Sequence, residues 1–297
     1  MAQRTHSNLY YVRSILTQTW RHPSNRHRRI RAVAAALGWQ VHKRLGRGPR
    51  DVAFFGWTLR CHPDSNSASN VIYFTPRYDP DEMGFMQHYL RPGDGFLDVG
   101  ANIGTYALLA RRLVGGEGLV VALEPHPVAA ARCRENLQLN RLDDVELHEA
   151  AVADVAGTAE FLDDFDVSNR IRSDSDGAVA TRTVAKVTLD EVLGDRPMAL
   201  GKLDVEGHET AALRGAVQRL RRADPPVWQI EIFDHQLARA GTTREELLGL
   251  LEEHGFALFT YRDGGSLQAV RRGERPVSNV WAVHRDHVDT VRERLGR

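Results

Sequence analysis

Asp98, Gly100, Asn102 and Gly104 fall within seven residues of one another in Phe96-Leu-Asp-Val-Gly-Ala-Asn-Ile-Gly-Thr105, and Glu124 follows twenty residues past Gly104. An apolar run, a glycine turn and a helical pattern in succession read as strand, turn and helix. Without a Cβ, Gly100 and Gly104 let the backbone turn sharply and a small molecule lie against it, while the helix that follows directs its unpaired N–H groups to the same place. The next apolar run, Leu119-Val-Val-Ala-Leu123, ends at Glu124. At a strand end of a doubly wound sheet such a carboxylate takes both hydroxyls of a ribose. Two details argue against a nicotinamide dinucleotide. Asn102 stands where the Gly-x-Gly-x-x-Gly fingerprint needs its middle glycine, crowding the place of a pyrophosphate. Asp98 would repel a phosphate but suits the amino group of a methionine moiety. The expected cofactor is S-adenosylmethionine. An NAD(P)-dependent oxidoreductase is the alternative, and an ordinary βα unit would leave Asp98 and Glu124 unexplained.

A second chemical centre is Lys202-Leu-Asp204-Val-Glu206-Gly-His208. Residues two apart on a strand face the same way, so Lys202, Asp204 and Glu206 are expected to project together at the carboxyl edge, where doubly wound sheets bind ligands. The bland alternative is that Asp204 or Glu206 caps the helix that starts near His208. Carboxylates and an imidazole can take a proton from a hydroxyl, and His208 alone in the motif ordinarily titrates near neutrality. The next strand end adds Glu231, Asp234 and His235. Such hard oxygen donors are also a conceivable Mg²⁺ site, although no ligand spacing here is diagnostic and the metal stays unassigned.

Positioning these residues requires alternating strands and helices, hence a mostly parallel sheet covered on both faces. Core strands are predicted at Gly95–Val99, Leu119–Glu124, Val145–Val152, Ala199–Val205 and Val227–Phe233. Helices are predicted near Ile103–Leu113, Val128–Asn140, His208–Leu220 and Arg244–His254. The runs Phe256–Tyr261 and Val277–Val283 suit a closing antiparallel pair. Ahead of the core, Val52–Phe74 reads as a strand or hairpin region with His62–Asn70 as its loop, and a helix covers Asp81–Leu90. The segment Asp163–Val179, rich in Asp, Ser and Arg, reads as a surface loop or a lid over the acceptor, with Ser168, Asn169 and Arg170 as its polar contacts.

The segments FLDVGANIGTYALLA, VALEPHP, RENLQLN, HEAAVADVAGTAEF, VTLDEVL and KLDVEGHE, in this order, resemble the FkbM-type S-adenosylmethionine-dependent methyltransferases from about Asp51 to His284. The resemblance implies an α/β, Rossmann-like class I methyltransferase fold with a doubly wound, mostly parallel, seven-stranded sheet. It also implies methyl transfer to oxygen on a sugar or polyketide-like natural product. The cofactor set becomes Asp98, Gly100, Ala101, Asn102, Gly104, Glu124 and Pro125, with Tyr78, Ala151 and Val152 added by the resemblance. The catalytic candidates are Asp204, Glu206, His208 and Glu231. A non-catalytic cofactor-binding scaffold is a third functional class to weigh against methyltransferase and oxidoreductase.

The 297 residues carry 39 basic and 39 acidic side chains, and this balance hides an asymmetry. Residues 1–50 hold eleven Lys and Arg and no Asp or Glu, leaving 28 basic against 39 acidic in the other 247, so the two parts attract. The expected organisation is a basic helical extension, 1–50, and a methyltransferase domain, 51–297, whose preliminary strand and helix region is 51–92. Pro23 splits the extension into two helices. One has Leu9, Val12, Leu16 and Trp20 on a face, the other Ile30, Val33, Ala34, Leu37, Val41 and Leu45. These faces are expected to pack on the body or on a second copy in a homo-oligomer, with peripheral contact to an anionic membrane or acidic partner as the alternative. Nucleic acid is not expected, because the acidic body opposes a phosphate backbone and no binding module is recognisable. No run reaches membrane-span length and no secretory signal opens the chain, so cytoplasmic residence is expected. Of the two cysteines, Cys61 and Cys133, the latter reads as a small buried hydrophobe.

Overall fold

The computed structural model describes residues 2–74, 77–162, 181–262, 264–271 and 279–296, which form two units, Met1–Pro80 and Asp81–Arg297. In the first, helical periodicity on either side of Pro23 becomes α1 (Ala2–Arg21) and α2 (Arg29–Arg44). Buried Asn25 ties them to the end of α3 (Asn66–Phe74) by donating through Nδ2 to the carbonyls of Thr19 and Tyr73, each at 2.8 Å. α2 buries Ala32, Ala36, Trp39 and Gln40, and Trp39 Nε1 donates to Ser69 Oγ of α3 at 3.0 Å. The face expected to pack is not the one buried within the chain: Ile30, Leu37, Val41 and Leu45 are exposed. Between α2 and α3 lies the hairpin β1 (Arg50–Phe54) and β2 (Trp57–Cys61). Its two-residue turn, Phe55-Gly56, has positive φ at both positions, as a right-twisted hairpin requires.

Val71-Ile72-Tyr73-Phe74, expected as the second half of a hairpin, is instead the end of α3. Ser65 starts that helix by accepting from the Ala68 N–H, and Ala68, Val71 and Ile72 are buried in it, so capping and packing outweigh the strand preference of the run. Because α3 packs on α2, the unit closes at Pro80 rather than near residue 50.

In the second unit, α4 (Pro80–Tyr89) leads into β3 (Gly95–Val99), α5 (Thr105–Val114), β4 (Leu119–Leu123), α6 (Pro127–Leu139) and β5 (Glu146–His148). The chain next makes a separate three-stranded sheet of β6 (Ala150–Val152), β7 (Gly157–Leu162) and β8 (Thr181–Val187), in the order β6-β8-β7. It returns through α7 (Leu189–Leu193) to β9 (Leu200–Leu203), α8 (Glu209–Arg214), α9 (Val217–Arg221) and β10 (Val227–Glu231). The final elements are α10 (Asp234–Arg239), α11 (Arg244–Glu253), β11 (Phe256–Thr260), β12 (Gln268–Ala269), β13 (Asn279–His284) and α12 (Val288–Arg294).

The main sheet runs β12-β11-β13-β10-β9-β3-β4-β5. β3, β4, β5, β9 and β10 are parallel, β13 runs antiparallel to β10, and β11 runs antiparallel to β13. It is thus a doubly wound, mostly parallel sheet of eight strands, not seven, the extra one being the two-residue edge strand β12. Two expected elements divide. Val145–Val152 divides at Glu149, because β5 continues the main sheet while β6 pairs with β8. His208–Leu220 divides at Gly215, where a Cβ would come within 2.1 Å of the Ala153 carbonyl oxygen. The loop Asp163–Val179, with Ser168, Asn169 and Arg170, lies outside the described residues.

β3 leads to β4 and β5 on one side and, after the crossover, to β9 on the other, so the winding reverses between β3 and β9. Ligands bind outside the carboxyl ends of the strands at such a reversal. The opposite ends of β9 and β10 are held by Arg219, which is fully buried. It donates to the carbonyls of Gly194, Arg196 and Asp224 and pairs with the Asp224 carboxylate at 3.1 Å. Arg219→Met should leave these acceptors unpaired and lower stability by about 3–5 kcal/mol, as loss of one partner of a buried pair does. Urea unfolding checks this, and a loss below about 1 kcal/mol would equate the network with a surface ion pair.

Candidate functional site

The strand ends at the reversal carry the expected turn. Buried β3 stops at Val99, and Gly100, Asn102 and Gly104 take positive φ values of 87°, 50° and 85°. The Gly100 and Ala101 N–H groups both donate to the Leu123 carbonyl at 3.0 Å, bending the chain over the end of β4. Each glycine is required by a different neighbour. A Cβ on Gly100 would stand 1.9 Å from the Asp204 carbonyl oxygen, and one on Gly104 would stand 2.7 Å from Cys133 Sγ of α6. Buried Asn136 of α6 also donates to the Ile103 carbonyl at 2.9 Å, so the turn is held from the helix as well. Cys61 and Cys133 are both free thiols and buried.

Glu124 follows β4 and is buried. Its Oε2 accepts from the Asn102 N–H at 2.8 Å and its Oε1 from the His126 N–H at 2.9 Å. The carboxylate thus braces the turn, and burial pushes its pKa up to about 7 against the lowering effect of those two bonds. Asp98 is fully buried, and neither of its carboxylate oxygens has a hydrogen-bond partner. Burial raises it to about 6, with Lys202 and, more weakly, the Ala107 N–H, which falls short of good hydrogen-bond geometry, opposing the shift. Asn102 Oδ1 is likewise buried without a partner. Ala101 is buried and Pro125 half-buried beside these groups in sequence. Ala151 and Val152 are buried in β6, paired with Lys186 and Val187 of β8. Tyr78 belongs to the first unit, where its carbonyl accepts from His22 Nε2 at 2.9 Å.

On the adjoining strands, Lys202 Nζ donates to Asp204 Oδ2 at 2.8 Å and lies 4.7 Å from the centre of the Tyr106 ring. Burial works against the ammonium charge, but Asp204 and Asp98 outweigh it and hold the Lys202 pKa above its ordinary value. β9 and β10 are in parallel register, Ile230 opposite Leu203, so Asp204 and Glu231 follow at neighbouring ends and share a hydrogen bond. The pair divides its one proton unequally. Burial would raise both groups, yet Lys202 keeps Asp204 below the ordinary carboxylate value, while burial and the Asp204 charge push Glu231 well above it. At neutral pH Asp204 is therefore the anion and Glu231 the donor.

The remaining expected residues are not gathered as expected. The strand ends at Leu203, and Glu206 sits in the turn at φ 55°, where its carboxylate accepts from Gln236 Nε2 of α10 instead of lining up with Lys202 and Asp204. His208 is half-buried ahead of α8 and its side chain makes no capping bond. Asp234 pairs with Arg244 at 2.6 Å, and His235 is exposed, its ring 5.6 Å from that of Phe233. Among the described residues no three His, Cys, Asp or Glu side chains gather as metal ligands would, so the grouping of Glu231, Asp234 and His235 does not form.

Sequence reasoning passed over Glu209. It is buried, and its Oε1 accepts from the Val205 and Gly207 N–H groups, each at 3.2 Å, so it holds the second turn as Glu124 holds the first. An acidic residue in the first turn of α8 was the available signal. Burial raises the Glu209 pKa to about 7. Between the ordinary carboxylate value and about 7 the native state holds a proton that the unfolded chain has lost, so this contribution to stability falls as pH rises through that window. Glu209→Gln keeps an acceptor oxygen and removes the ionisation. Between pH ~5 and ~7.5 its unfolding free energy from urea titration should fall less than the parent's, the difference being on the order of 3 kcal/mol at most. An equal fall in both proteins would mean that Glu209 does not carry the effect.

Comparison with known proteins places this geometry in a family. The family model described as Methyltransferase FkbM domain matches residues 98–258, more than half of the chain. The 31-O-demethyl-FK506 methyltransferase FkbM of Streptomyces tacrolimicus is 29% identical over 209 residues, covering 59% of this chain and 76% of that protein. Among solved structures, methyltransferase FkbM from Methylobacillus flagellatus is 15% identical with a TM-score of 0.43, over 73% of this chain and 53% of that one, just over half its length. A SAM-dependent O-methyltransferase from Thermotoga maritima is 16% identical with a TM-score of 0.37, over 68% of this chain and 63% of that one. At these scores the structural likeness adds nothing to the fold read from the strand order. The family match replaces the oxidoreductase and scaffold alternatives: the chain belongs to the FkbM methyltransferase family, whose members are S-adenosylmethionine-dependent enzymes.

Proposed function

We propose that this enzyme methylates a hydroxyl oxygen of a sugar or polyketide-like natural product. The observation that carries the reading is the approach of Gly100 to Asp204, so close that no Cβ fits between them. It sets the glycine turn beside the strand end that carries an ionised carboxylate. The residues at the turn fit S-adenosylmethionine. Asp98 and Asn102 Oδ1 offer buried acceptor atoms without partners, which suit the amino group of the methionine moiety. Each Glu124 oxygen accepts one backbone bond and keeps a further lone pair for a ribose hydroxyl. Ala101, Pro125, Ala151 and Val152 complete the proposed cofactor set within this unit.

S-adenosylmethionine supplies an electrophilic methyl carbon when bound. The chain's own task is to orient an acceptor hydroxyl and take up its proton. Asp204 is assigned the orienting acceptor, kept charged by Lys202 and hydrogen-bonded by Glu231. His208 and Glu206, in the turn that follows, are the further candidates for proton removal. An oxygen acceptor agrees with the relative from Streptomyces tacrolimicus, whose name describes a methyltransferase of 31-O-demethyl-FK506.

The acceptor is identified by transfer of a radiolabelled methyl group to hydroxyl-bearing glycosides and macrolides, with the methylated atom mapped in the product. Methyl found on nitrogen or carbon would overturn the proposal. In the same assay Asp204→Asn and Glu231→Gln should lower turnover by roughly 10²–10⁴, while calorimetric affinity for S-adenosylmethionine changes little. Amide variants that turn over at the parent rate would reduce both carboxylates to supports of the strand ends.

A further inference from the structure

The methyl-transfer site leaves α1 and α2 without a task. Of the eight large hydrophobic side chains exposed among the described residues, Trp20, Ile30, Leu37, Val41 and Leu45 lie on or immediately after these helices. Ile30, Ala34, Leu37, Val41 and Leu45 follow steps of three and four residues and so form one stripe along α2, about 22 Å long. The stripe is open: Ile30 is 79% exposed, and a Cβ on Gly38 would meet nothing within 4 Å. Val33 joins it to a groove of α1 lined by Val12, Leu16 and Trp20, with Arg13 and Arg21 at the same groove.

The formal charges carried by the two helices have one sign. The Arg29 guanidinium lies 5.5 Å from the centre of the Trp20 ring, and Arg31 and Arg44 are exposed on α2. No acidic residue occurs among the first fifty, and Arg13, Arg21, Arg29, Arg31 and Arg44 make no ion pair with a described residue.

We infer that this helical pair docks peripherally on an anionic lipid surface. The apolar stripe enters the boundary between headgroups and acyl chains, Trp20 lies at headgroup level, and the arginines meet lipid phosphates from flexible apolar stems. Charge complementarity selects this occupant. A second copy docked face to face would oppose arginine to arginine with no carboxylate in residues 1–50 to separate them. A nucleic acid would accept the arginines but leave the stripe of Ile30, Leu37 and Val41 against phosphates. No helix among the described residues is long and apolar enough to cross a membrane, so the contact is one of surface insertion.

The test is co-sedimentation of the full-length protein with phosphatidylcholine vesicles that contain or lack phosphatidylglycerol, at low and high salt. Binding is expected to the anionic vesicles alone and to weaken as salt is raised. Arg29→Gln/Arg31→Gln/Arg44→Gln should lower the partition coefficient on the order of 100-fold. Leu37→Gln/Val41→Gln should lower it roughly tenfold or more, since the apolar insertion is lost. These side chains are exposed, so circular dichroism and S-adenosylmethionine affinity should stay at parent values in both variants. Failure of the full-length protein to bind anionic vesicles at low salt would overturn the inference, as would full binding by Leu37→Gln/Val41→Gln. A parent dimer that Leu37→Gln/Val41→Gln turns into a monomer, without vesicle binding, would assign the face to a second copy and overturn it equally.

Discussion

The backbone of the turn after β3 lies against the end of β9, and this approach governs what surrounds it. Gly100 has no Cβ because the Asp204 carbonyl oxygen occupies that place, and the Asp204 N–H in turn donates to the Val99 carbonyl at 3.1 Å. Two strand ends that carry different chemistry are thereby held at one distance by main-chain atoms, which have little freedom to relax. The surrounding devices all protect that approach. Glu124 fastens one turn, Glu209 fastens the other, and Arg219 fixes the far ends of β9 and β10. A substitution at Gly100 would therefore be felt in the sheet before it was felt by any ligand.

The same approach concentrates ionisable groups in a dry place. Asp98, Lys202, Asp204 and Glu231 share one ammonium among three carboxyl groups, and such a set is stable only if its protons are unequally divided. Lys202, stacked on Tyr106, holds Asp204 charged. The charge of Asp204 then holds Glu231 neutral. The ordering of proton affinities comes from position alone, since Asp98, Asp204 and Glu231 are chemically almost alike.

The parts of this site that depend on neighbours in sequence were legible there. The strand, glycine turn and helix from Phe96 to Val114 follow from an apolar run, two glycines and a helical pattern, and the order of strands follows from their alternation with helices. What depends on the third dimension was not. Glu206 reads as a partner of Asp204 only while the strand continues, and the positive φ at Glu206 ends that relation. Val71-Ile72-Tyr73-Phe74 has the composition of a strand, but its helix is started by the Ser65 cap and held by Trp39 and Asn25 from elsewhere in the chain. On α2 two stripes compete, Ala32, Ala36 and Trp39 against Ile30, Leu37, Val41 and Leu45. Within the chain the smaller stripe is the buried one, and the larger stays exposed.

Asn102 carries a consequence for how such chains diversify. It is the middle of three left-handed positions, at residues 100, 102 and 104, and its side chain is not what the Glu124 carboxylate grips, since that bond comes from its backbone N–H. Position 102 is therefore screened first by chirality: glycine, asparagine and aspartate enter the left-handed region readily, whereas β-branched residues do not. Aspartate would add a further negative charge beside Glu124 and Asp98. The turn thus favours Asn or Gly over β-branched residues at its centre, and of the two only Asn keeps the buried Oδ1 acceptor.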